Sequence, residues 1–246
     1  MGEMFAVLSG KGGTGKTSVC AGVAVALAVQ GRKVLCIDCD VGLRNLDISL
    51  GMTDSGAISF LDVISGSYPL ANAAVHPTYP SLFLLTAPMN CPVENIDPKA
   101  FREMLDRARG EFDYIFLDAP AGVDNGFRLV SSCAERILVV TGAGPASVRD
   151  ASRVGDLLEI EGKKDVRMVV NRVSRSAMAA LHMTIDDVMD TAGLPLMGVV
   201  LEDPNIPLAA AYGKTLHQYA RRSDGARAFE RIAARIQGFS RPMILK

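Results

Sequence analysis

The strongest constraint on this chain is the octapeptide GKGGTGKT at residues 10–17. The short apolar run Met4–Leu8 precedes it, and the Ala- and Val-rich stretch Ser18–Gln30 follows it. A buried strand, a glycine-rich loop and a helix form the context in which the G-x-x-x-x-G-K-[ST] pattern binds phosphate. The glycines let backbone N–H groups approach phosphate oxygens, and the helix N-terminus adds partial positive charge. The sequence therefore predicts a nucleoside triphosphate site formed by Gly12, Gly13, Thr14, Gly15, Lys16, Thr17 and Ser18.

Four residues have distinct predicted roles, two in this loop and two further along the chain. Lys16 should reach the β- and γ-phosphates, and the Thr17 hydroxyl should bind Mg²⁺. Asp118 closes an apolar segment at residues 112–118, where it is the carboxylate expected to hold the same ion through a water. Gly122 follows four residues later and would let the backbone turn toward the γ-phosphate.

An acidic segment at residues 38–47 supplies further candidates, with three carboxylates beside one Arg and one Asn. Asp40 is the candidate to orient the attacking water, because phosphoryl transfer depends on positioning more than on strong base chemistry. Asp38 could assist the Mg²⁺ shell. The alternative is an acidic loop that is merely solvated.

The predicted fold is α/β: a doubly wound, mostly parallel, Rossmann-like sheet with helices on both faces, as in phosphate-loop nucleotidases. Most candidate strands are apolar along their whole length, which indicates strands covered on both faces. We predict one domain over residues 1–246. The predicted strands are Met4–Ser9, Lys33–Asp38, Leu82–Thr86, Tyr114–Asp118, Arg136–Thr141, Arg167–Asn171 and Leu196–Leu201. The predicted helices are Lys16–Gln30, Ser59–Ser65, Pro98–Arg109, Ala146–Glu161, Thr184–Thr191 and Gly225–Gln237.

Cysteine usage and hydropathy point to a reducing, cytoplasmic compartment. The five cysteines form no secretory pattern, and no signal peptide precedes the first strand. Cys36 and Cys39 have C-x-x-C spacing, but residues three apart on a strand point to opposite faces, which disfavours a disulfide or a shared metal. The longest apolar run, Val19–Val29, is too short to span a bilayer.

Several stretches resemble the deviant Walker motif family of ParA/MinD ATPases, and its MinD branch in particular. The resemblance extends over roughly residues 4–238. The segments that carry it are Lys11–Thr17, Ile37–Asp47, Asp118–Gly122, Ser147–Ala151 and Gly198–Asp203. Of these, the Gly-Leu-Arg-Asn-Leu-Asp run at residues 42–47 is the most specific to the MinD branch.

The resemblance implies a Mg²⁺-dependent ATPase that forms a homodimer around two ATP molecules. It assigns Lys11 to the partner subunit's phosphates and places Asn45 near the dimer interface. It makes Asn171 the reader of the adenine edge, whereas by its chemistry alone this amide could equally be a strand-end cap. The start of the helix at Ser147–Asp150 would meet regulators, and the simpler interpretation makes Ser147 its N-cap.

The function implied by the resemblance is a switch that positions the bacterial division site and is reset by ATP hydrolysis. The implied partners are a division inhibitor similar to MinC and a regulator similar to MinE or MinJ. No sequence-specific nucleic acid is expected as a partner. The expected location is the cytoplasm, with the inner face of the cell membrane as a peripheral site.

The C-terminal region is where the resemblance is incomplete, because a basic amphipathic membrane helix is not evident. Residues 214–246 carry a net charge of +6. The stretch 229–236 places an apolar face on a helix, which favours the last helix of the domain over an interfacial one. Membrane contact is therefore expected to be weak, through Met243–Leu245, or indirect.

Two other function classes remain open from the sequence. One is a ParA-like partition or flagellar-number ATPase whose basic tail contacts DNA or another protein. The other is a metabolic ATP-dependent synthetase on the same scaffold, which would need a substrate pocket that the sequence does not reveal. Iron–sulfur relatives are disfavoured because Cys91 and Cys133 lack the expected flanking glycines.

Overall fold

The computed structural model describes residues 1–89 and 91–242. These residues form one sheet whose strands are, in chain order, β1 (Glu3–Leu8), β2 (Val34–Asp38), β3 (Ala74–Val75), β4 (Leu82–Leu85), β5 (Tyr114–Asp118), β6 (Arg136–Thr141), β7 (Asp165–Val173) and β8 (Leu196–Leu201). The spatial order is β3-β4-β2-β5-β1-β6-β7-β8. Only the pairing of β3 with β4 is antiparallel among these strands. The central strand β1 therefore delivers the phosphate-binding loop to the middle of the sheet.

Helices connect the strands and cover both faces of the sheet. In chain order they are α1 (Lys16–Val29), α2 (Leu46–Leu50), α3 (Phe60–Ile64), α4 (Pro98–Glu111), α5 (Asn125–Cys133), α6 (Pro145–Ile160), α7 (Arg175–Ala180), α8 (Ile185–Ala192), α9 (Asn205–Ala211), α10 (Leu216–Ala220) and α11 (Asp224–Ile236). None of these helices in the described part of the chain is long and apolar enough to cross a membrane.

Two apolar clusters fill the space between the sheet and the helices. Val7 and Phe116 face the α1 and α11 side, where Phe229 packs. Leu8 and Leu117 face the other side, where α4, α5, α6 and α8 pack. Successive strand residues alternate between two buried layers, which explains why the strands are apolar along their whole length. The predicted doubly wound α/β fold is confirmed.

The main predicted elements are present with boundaries within two residues of the prediction. The prediction missed β3 and the helices α2, α5, α7, α9 and α10, most of which are too short to carry a helical repeat of apolar residues. The N-cap assignment of Ser147 is wrong. Helix α6 starts at Pro145 with Gly144 as its N-cap, because the fixed φ of proline suits the first helical position.

The expected opposite orientation of Cys36 and Cys39 is confirmed, since the two side chains belong to different clusters on either side of the sheet. Helix α11 is the last described helix, and its apolar face is buried against α1 and β8. The expectation that this face belongs to the core of the domain rather than to a membrane interface is therefore confirmed. The Met243–Leu245 segment, which carried the predicted weak membrane contact, lies outside the described residues.

Close packing between α1 and α11 depends on Gly22. A Cβ atom at this position would lie 2.2 Å from Cδ2 of Phe229. We expect Gly22→Ala to lower the free energy of unfolding by about 1–3 kcal/mol through overpacking. The higher helix propensity of alanine, taken alone, would raise the free energy of unfolding. The matched control is Gly110→Ala in α4, where a Cβ atom would meet nothing within 4 Å. Urea titrations of both variants test this, and a stabilised Gly22→Ala variant would contradict the packing argument.

Candidate nucleotide-binding site

The phosphate-binding loop connects β1 to α1 at the carboxyl ends of the parallel strands, where open α/β sheets bind their ligands. Gly13 and Gly15 have φ angles of 79° and 82°, a region that side-chain-bearing residues rarely adopt. A Cβ atom at Gly15 would also lie 2.2 Å from Nδ2 of Asn171. The glycine pattern is therefore required by both backbone conformation and close approach.

Lys16 forms a buried ion pair at the base of the loop. Its Nζ lies 2.7 Å from Oδ1 of Asp118, and the two side chains are 7% and 2% exposed. Burial on its own lowers the pKa of the Lys16 ammonium, but the adjacent Asp118 carboxylate outweighs this effect and raises that pKa. Burial raises the pKa of the Asp118 carboxyl, and the nearby Lys16 ammonium and Thr17 side chain partly offset this effect. The structure thus brings together the lysine, the threonine and the carboxylate that the sequence predicted as neighbours.

Asp38 is the second buried carboxylate of the site. It ends β2 and pairs in register with Asp118 at the end of β5. Its carboxylate accepts hydrogen bonds from the backbone N–H groups of Asp40 and Leu46, at 2.9 and 3.0 Å. Burial, followed by the negative charge of Asp118, raises the pKa of the Asp38 carboxyl to about 6.

The segment after β2 holds Asp40 and Asn45 at the surface of the site. Oδ1 of Asp40 accepts from the N–H groups of Gly42 and Leu43, both at 3.2 Å, so the half-buried carboxylate is held by its own turn. Asn45 is exposed at the N-terminus of α2. Leu43, which lies between them in the sequence, is 72% exposed. The segment therefore presents both polar and apolar side chains at the surface.

Lys11 does not point toward Lys16 or Asp118 but pairs with α6. Its Nζ lies 3.6 Å from Oδ2 of Asp150, and both side chains are partly exposed. Gly122, after β5, has a φ angle of 94°, and its N–H donates to the Ser9 carbonyl at 3.1 Å. The loop after β5 is thereby fixed against the end of β1.

Asn171 connects β7 to the phosphate-binding loop. Its Nδ2 donates to the Thr14 carbonyl at 2.8 Å. The Asn171 Oδ1 and Thr14 Oγ1 atoms are buried and have no hydrogen-bond partner among the described residues. A buried acceptor of this kind costs free energy unless a ligand satisfies it, so the pair fits a bound nucleotide.

Arg172 is a site residue that the sequence reasoning missed. It has a φ angle of 54°, and its NH1 donates to the Gly13 carbonyl at 3.2 Å. The neighbouring Asn171 was predicted, but a single arginine after it carries no distinguishing pattern. Together the two residues attach the end of β7 to two consecutive loop carbonyls.

The side chains of the site suit a Mg²⁺ ion that is shared with a bound triphosphate better than a metal ion held by protein ligands alone. No group of three or more His, Cys, Asp or Glu side chains suited to a metal occurs within residues 1–89 and 91–242. Mg²⁺ is usually held by one or two carboxylates with phosphate and water oxygens. Thr17, Asp38 and Asp118 provide that kind of partial ligand set beside a phosphate-binding loop.

Comparison with known proteins identifies the family. The model of the CobQ/CobB/MinD/ParA nucleotide binding domain matches residues 5–216. The chain belongs to this MinD/ParA family. It is 35% identical to the septum site-determining protein MinD of Synechocystis over 99% of the chain and 92% of that relative. It is 33% identical to the Bacillus subtilis MinD over 99% of the chain and 92% of that relative. The predicted resemblance to the MinD branch is confirmed.

Solved structures of MinD/ParA family members have the same fold. The MinC:MinD complex from Aquifex aeolicus gives a TM-score of 0.90 at 32% identity, with 98% of each chain covered. MinD of Pyrococcus horikoshii, solved with Mg-ADP, gives 0.84 at 31% identity, with 96% of each chain covered. The predicted nucleotide-binding family is confirmed by these matches.

The raised pKa of Asp38 gives a testable pH dependence. The Asp38 carboxyl binds a proton more tightly in the folded chain than in the unfolded chain, where its pKa is 3.8. Protonated Asp38 therefore adds most to the free energy of unfolding below pH 4. The free energy of unfolding should then fall by about 3 kcal/mol as pH rises through 6. Asp38→Asn should remove this slope in metal-free urea titrations, whereas Asp54→Asn, at an exposed position, should keep it. An unchanged slope in Asp38→Asn would contradict the assignment.

Proposed function

We propose that this chain is a Mg²⁺-dependent ATPase switch of the MinD type, built as one domain over residues 1–246. The observation that carries the proposal is the buried Lys16–Asp118 pair, 2.7 Å long, beneath a glycine-rich loop with two lysines. Buried polar atoms at Thr14 and Asn171 without partners in the described residues support a ligand at the same place.

The proposed mechanism uses the chain's own side chains for binding and orientation. Lys16 exchanges its contact with Asp118 for the β- and γ-phosphate oxygens. Thr17, Asp118 and Asp38 would hold Mg²⁺, and the bound ion would supply positive charge that neutralises the phosphates. Asp40, held by its own turn, orients the attacking water toward the γ-phosphate. Burial makes these charge interactions stronger than they would be in water.

The position of Lys11 supports a dimeric active form. Its ammonium lies beside Asp150 on α6 rather than in its own loop, and it is 41% exposed, so it is accessible to a second subunit. We propose that Lys11 reaches the partner's phosphates when two subunits meet with ATP between them. Asn45 and the exposed Leu43 would then lie at the contact between subunits.

The relatives suggest the biological role of such a switch. Proteins that match nearly the whole chain are named for septum site determination, and one was solved together with MinC. We propose that this chain positions the division site by recruiting an inhibitor similar to MinC, with a MinE-like or MinJ-like regulator. Membrane contact would be weak or indirect, at the inner face of the cell membrane.

Substitution of Asp40 separates binding from hydrolysis. Asp40→Ala should keep ATP affinity, lower phosphate release about 100-fold and accumulate the ATP-bound dimer. Lys16→Ala should lose both binding and dimer. Asp106→Ala, an exposed carboxylate on α4, is the matched control. Phosphate-release rates with light scattering after size exclusion measure both effects. Normal turnover by Asp40→Ala would refute the water-positioning role.

A second measurement distinguishes the division-site proposal from the ParA-like alternative, which the arginines of residues 221–241 favour. Phosphatidylglycerol vesicles and duplex DNA are each incubated with the protein and ATP or ADP. The proposal predicts weak vesicle binding with ATP, or vesicle binding only after a MinC-like partner is added. DNA binding that falls steeply with added salt would instead favour the partition role.

A further inference from the structure

An exposed apolar and aromatic patch lies on the two short helices that follow β8. Leu208 is on α9, Tyr212 is the C-cap of α9, and Tyr219 is on α10. Their exposed fractions are 44%, 66% and 36%. The Tyr212 N–H donates to the Leu208 carbonyl at 3.0 Å, so this helical turn places the two side chains on one side of α9. The three residues are here called the tyrosine surface.

The two tyrosine rings of this surface are held against each other. They stack with 5.6 Å between the ring centroids and an angle of 14° between the ring planes. Single exposed apolar residues are common on protein surfaces, whereas a stacked pair beside an exposed leucine is a contiguous patch. Because the rings are already ordered, a partner that covers them gains contact area at a low cost in side-chain entropy.

The two helices around the tyrosine surface carry only positive formal charge. Residues 204–223 contain Lys214, Arg221 and Arg222 and no Asp or Glu. All three cationic side chains are exposed, and none of them forms an ion pair among the residues that the structure describes. Arg221 and Arg222 also line a shallow hollow beside Asn205 at the start of α9. The apolar patch therefore has a basic rim.

Acidic residues at either end of these two helices are engaged elsewhere. The Asp203 carboxylate is buried and accepts from two backbone N–H groups at 2.9 Å each. Glu202 faces Arg172 at 4.0 Å. Asp224 lies in the first turn of α11, where the helix N-terminus stabilises negative charge. The charge around the tyrosine surface is therefore left for a partner to complement.

We propose that the tyrosine surface binds an acidic amphipathic helix of another protein. Leu208 and Tyr212 present apolar groups one helical turn apart, which suits the apolar stripe of a partner helix. Acidic residues that flank such a stripe would pair with Lys214, Arg221 and Arg222. Tyrosine and arginine are among the residues that contribute most to binding energy at protein interfaces.

The proposed docking surface is independent of the nucleotide switch. Lys11 and Asn45, which are assigned above to the contact between subunits, are not part of it. A partner helix on α9 and α10 would therefore identify a second interface of this chain, whether or not ATP drives its dimerisation.

Single-stranded nucleic acid is the other class of ligand that basic and aromatic side chains bind together. In such sites the bases stack on open aromatic faces. Here the two rings stack on each other, so each ring already covers part of one face of its neighbour. Leu208 adds an exposed aliphatic group, which the apolar stripe of a helix covers and a phosphate backbone does not. The arrangement therefore favours a protein helix.

The test measures the binding of labelled synthetic peptides to the full chain by fluorescence anisotropy. The acidic probe is three repeats of Leu-Glu-Glu-Leu-Ala-Glu-Ala, and the basic control peptide has Lys in place of every Glu. We expect the acidic peptide to bind with a dissociation constant in the micromolar range. The basic peptide should bind at least about tenfold more weakly, because like charges then face each other.

Two variants of the chain locate the binding site. Tyr212→Ala and Arg222→Glu should each lower the affinity for the acidic peptide by about tenfold or more. The matched controls are Tyr68→Ala, at another exposed tyrosine, and Arg107→Glu, at an exposed arginine on α4. Both control variants should bind the acidic peptide as the unmodified chain does. Circular dichroism of each variant shows that it is folded before it is titrated.

Four results would overturn the proposal. The first is that the acidic peptide does not bind the unmodified chain, or binds no better than the basic one. The second is an equal loss of affinity in the two site variants and their controls. The third is tighter binding of a labelled oligothymidine than of the acidic peptide, which would indicate a nucleic acid surface. The fourth is self-association in sedimentation velocity that Tyr212→Ala abolishes, which would assign the surface to a second copy of this chain.

Discussion

The buried Lys16–Asp118 ion pair is the interaction on which the rest of the site depends. Two opposite charges removed from water are tolerated only in close contact, because an isolated charge there would be strongly destabilising. Strand β5 must therefore end beside the first turn of α1, and β1, which leads into the loop, must lie next to β5. The doubly wound sheet satisfies this demand, since it places β1 next to β5 at its centre.

The carboxyl end of β7 adds a second constraint on the loop. Asn171 and Arg172 donate to the carbonyls of Thr14 and Gly13, so the loop is held from the sheet side as well as by its own glycines. The same contact leaves one buried amide oxygen, Oδ1 of Asn171, without a partner among the described residues. A structural hydrogen bond thus fixes the orientation of the Asn171 amide and leaves its oxygen available as an acceptor.

Sequence reasoning gave the architecture and most of the site, for identifiable reasons. Uniformly apolar strands and a glycine-rich loop are local patterns, so β1, α1 and the residues from Gly12 to Thr17 were predictable. The short helices α9 and α10 carry too few apolar repeats to be recognised, although their residues line a cleft beside the phosphate-binding loop. The partner of Lys11 was also hidden, because Asp150 approaches it only through the packing of α6. The N-cap of α6 was misplaced because Pro145 can occupy the first turn.

The contact between α1 and α11 joins two helices that lie far apart in the sequence. Gly22 and Phe229 touch although more than two hundred residues separate them. The helix that follows the phosphate-binding loop thus completes its packing only against residues that a ribosome adds more than two hundred residues later. Such long-range closure slows folding and leaves the apolar face of α1 uncovered during synthesis. A growing chain would therefore need protection from aggregation until α11 has emerged.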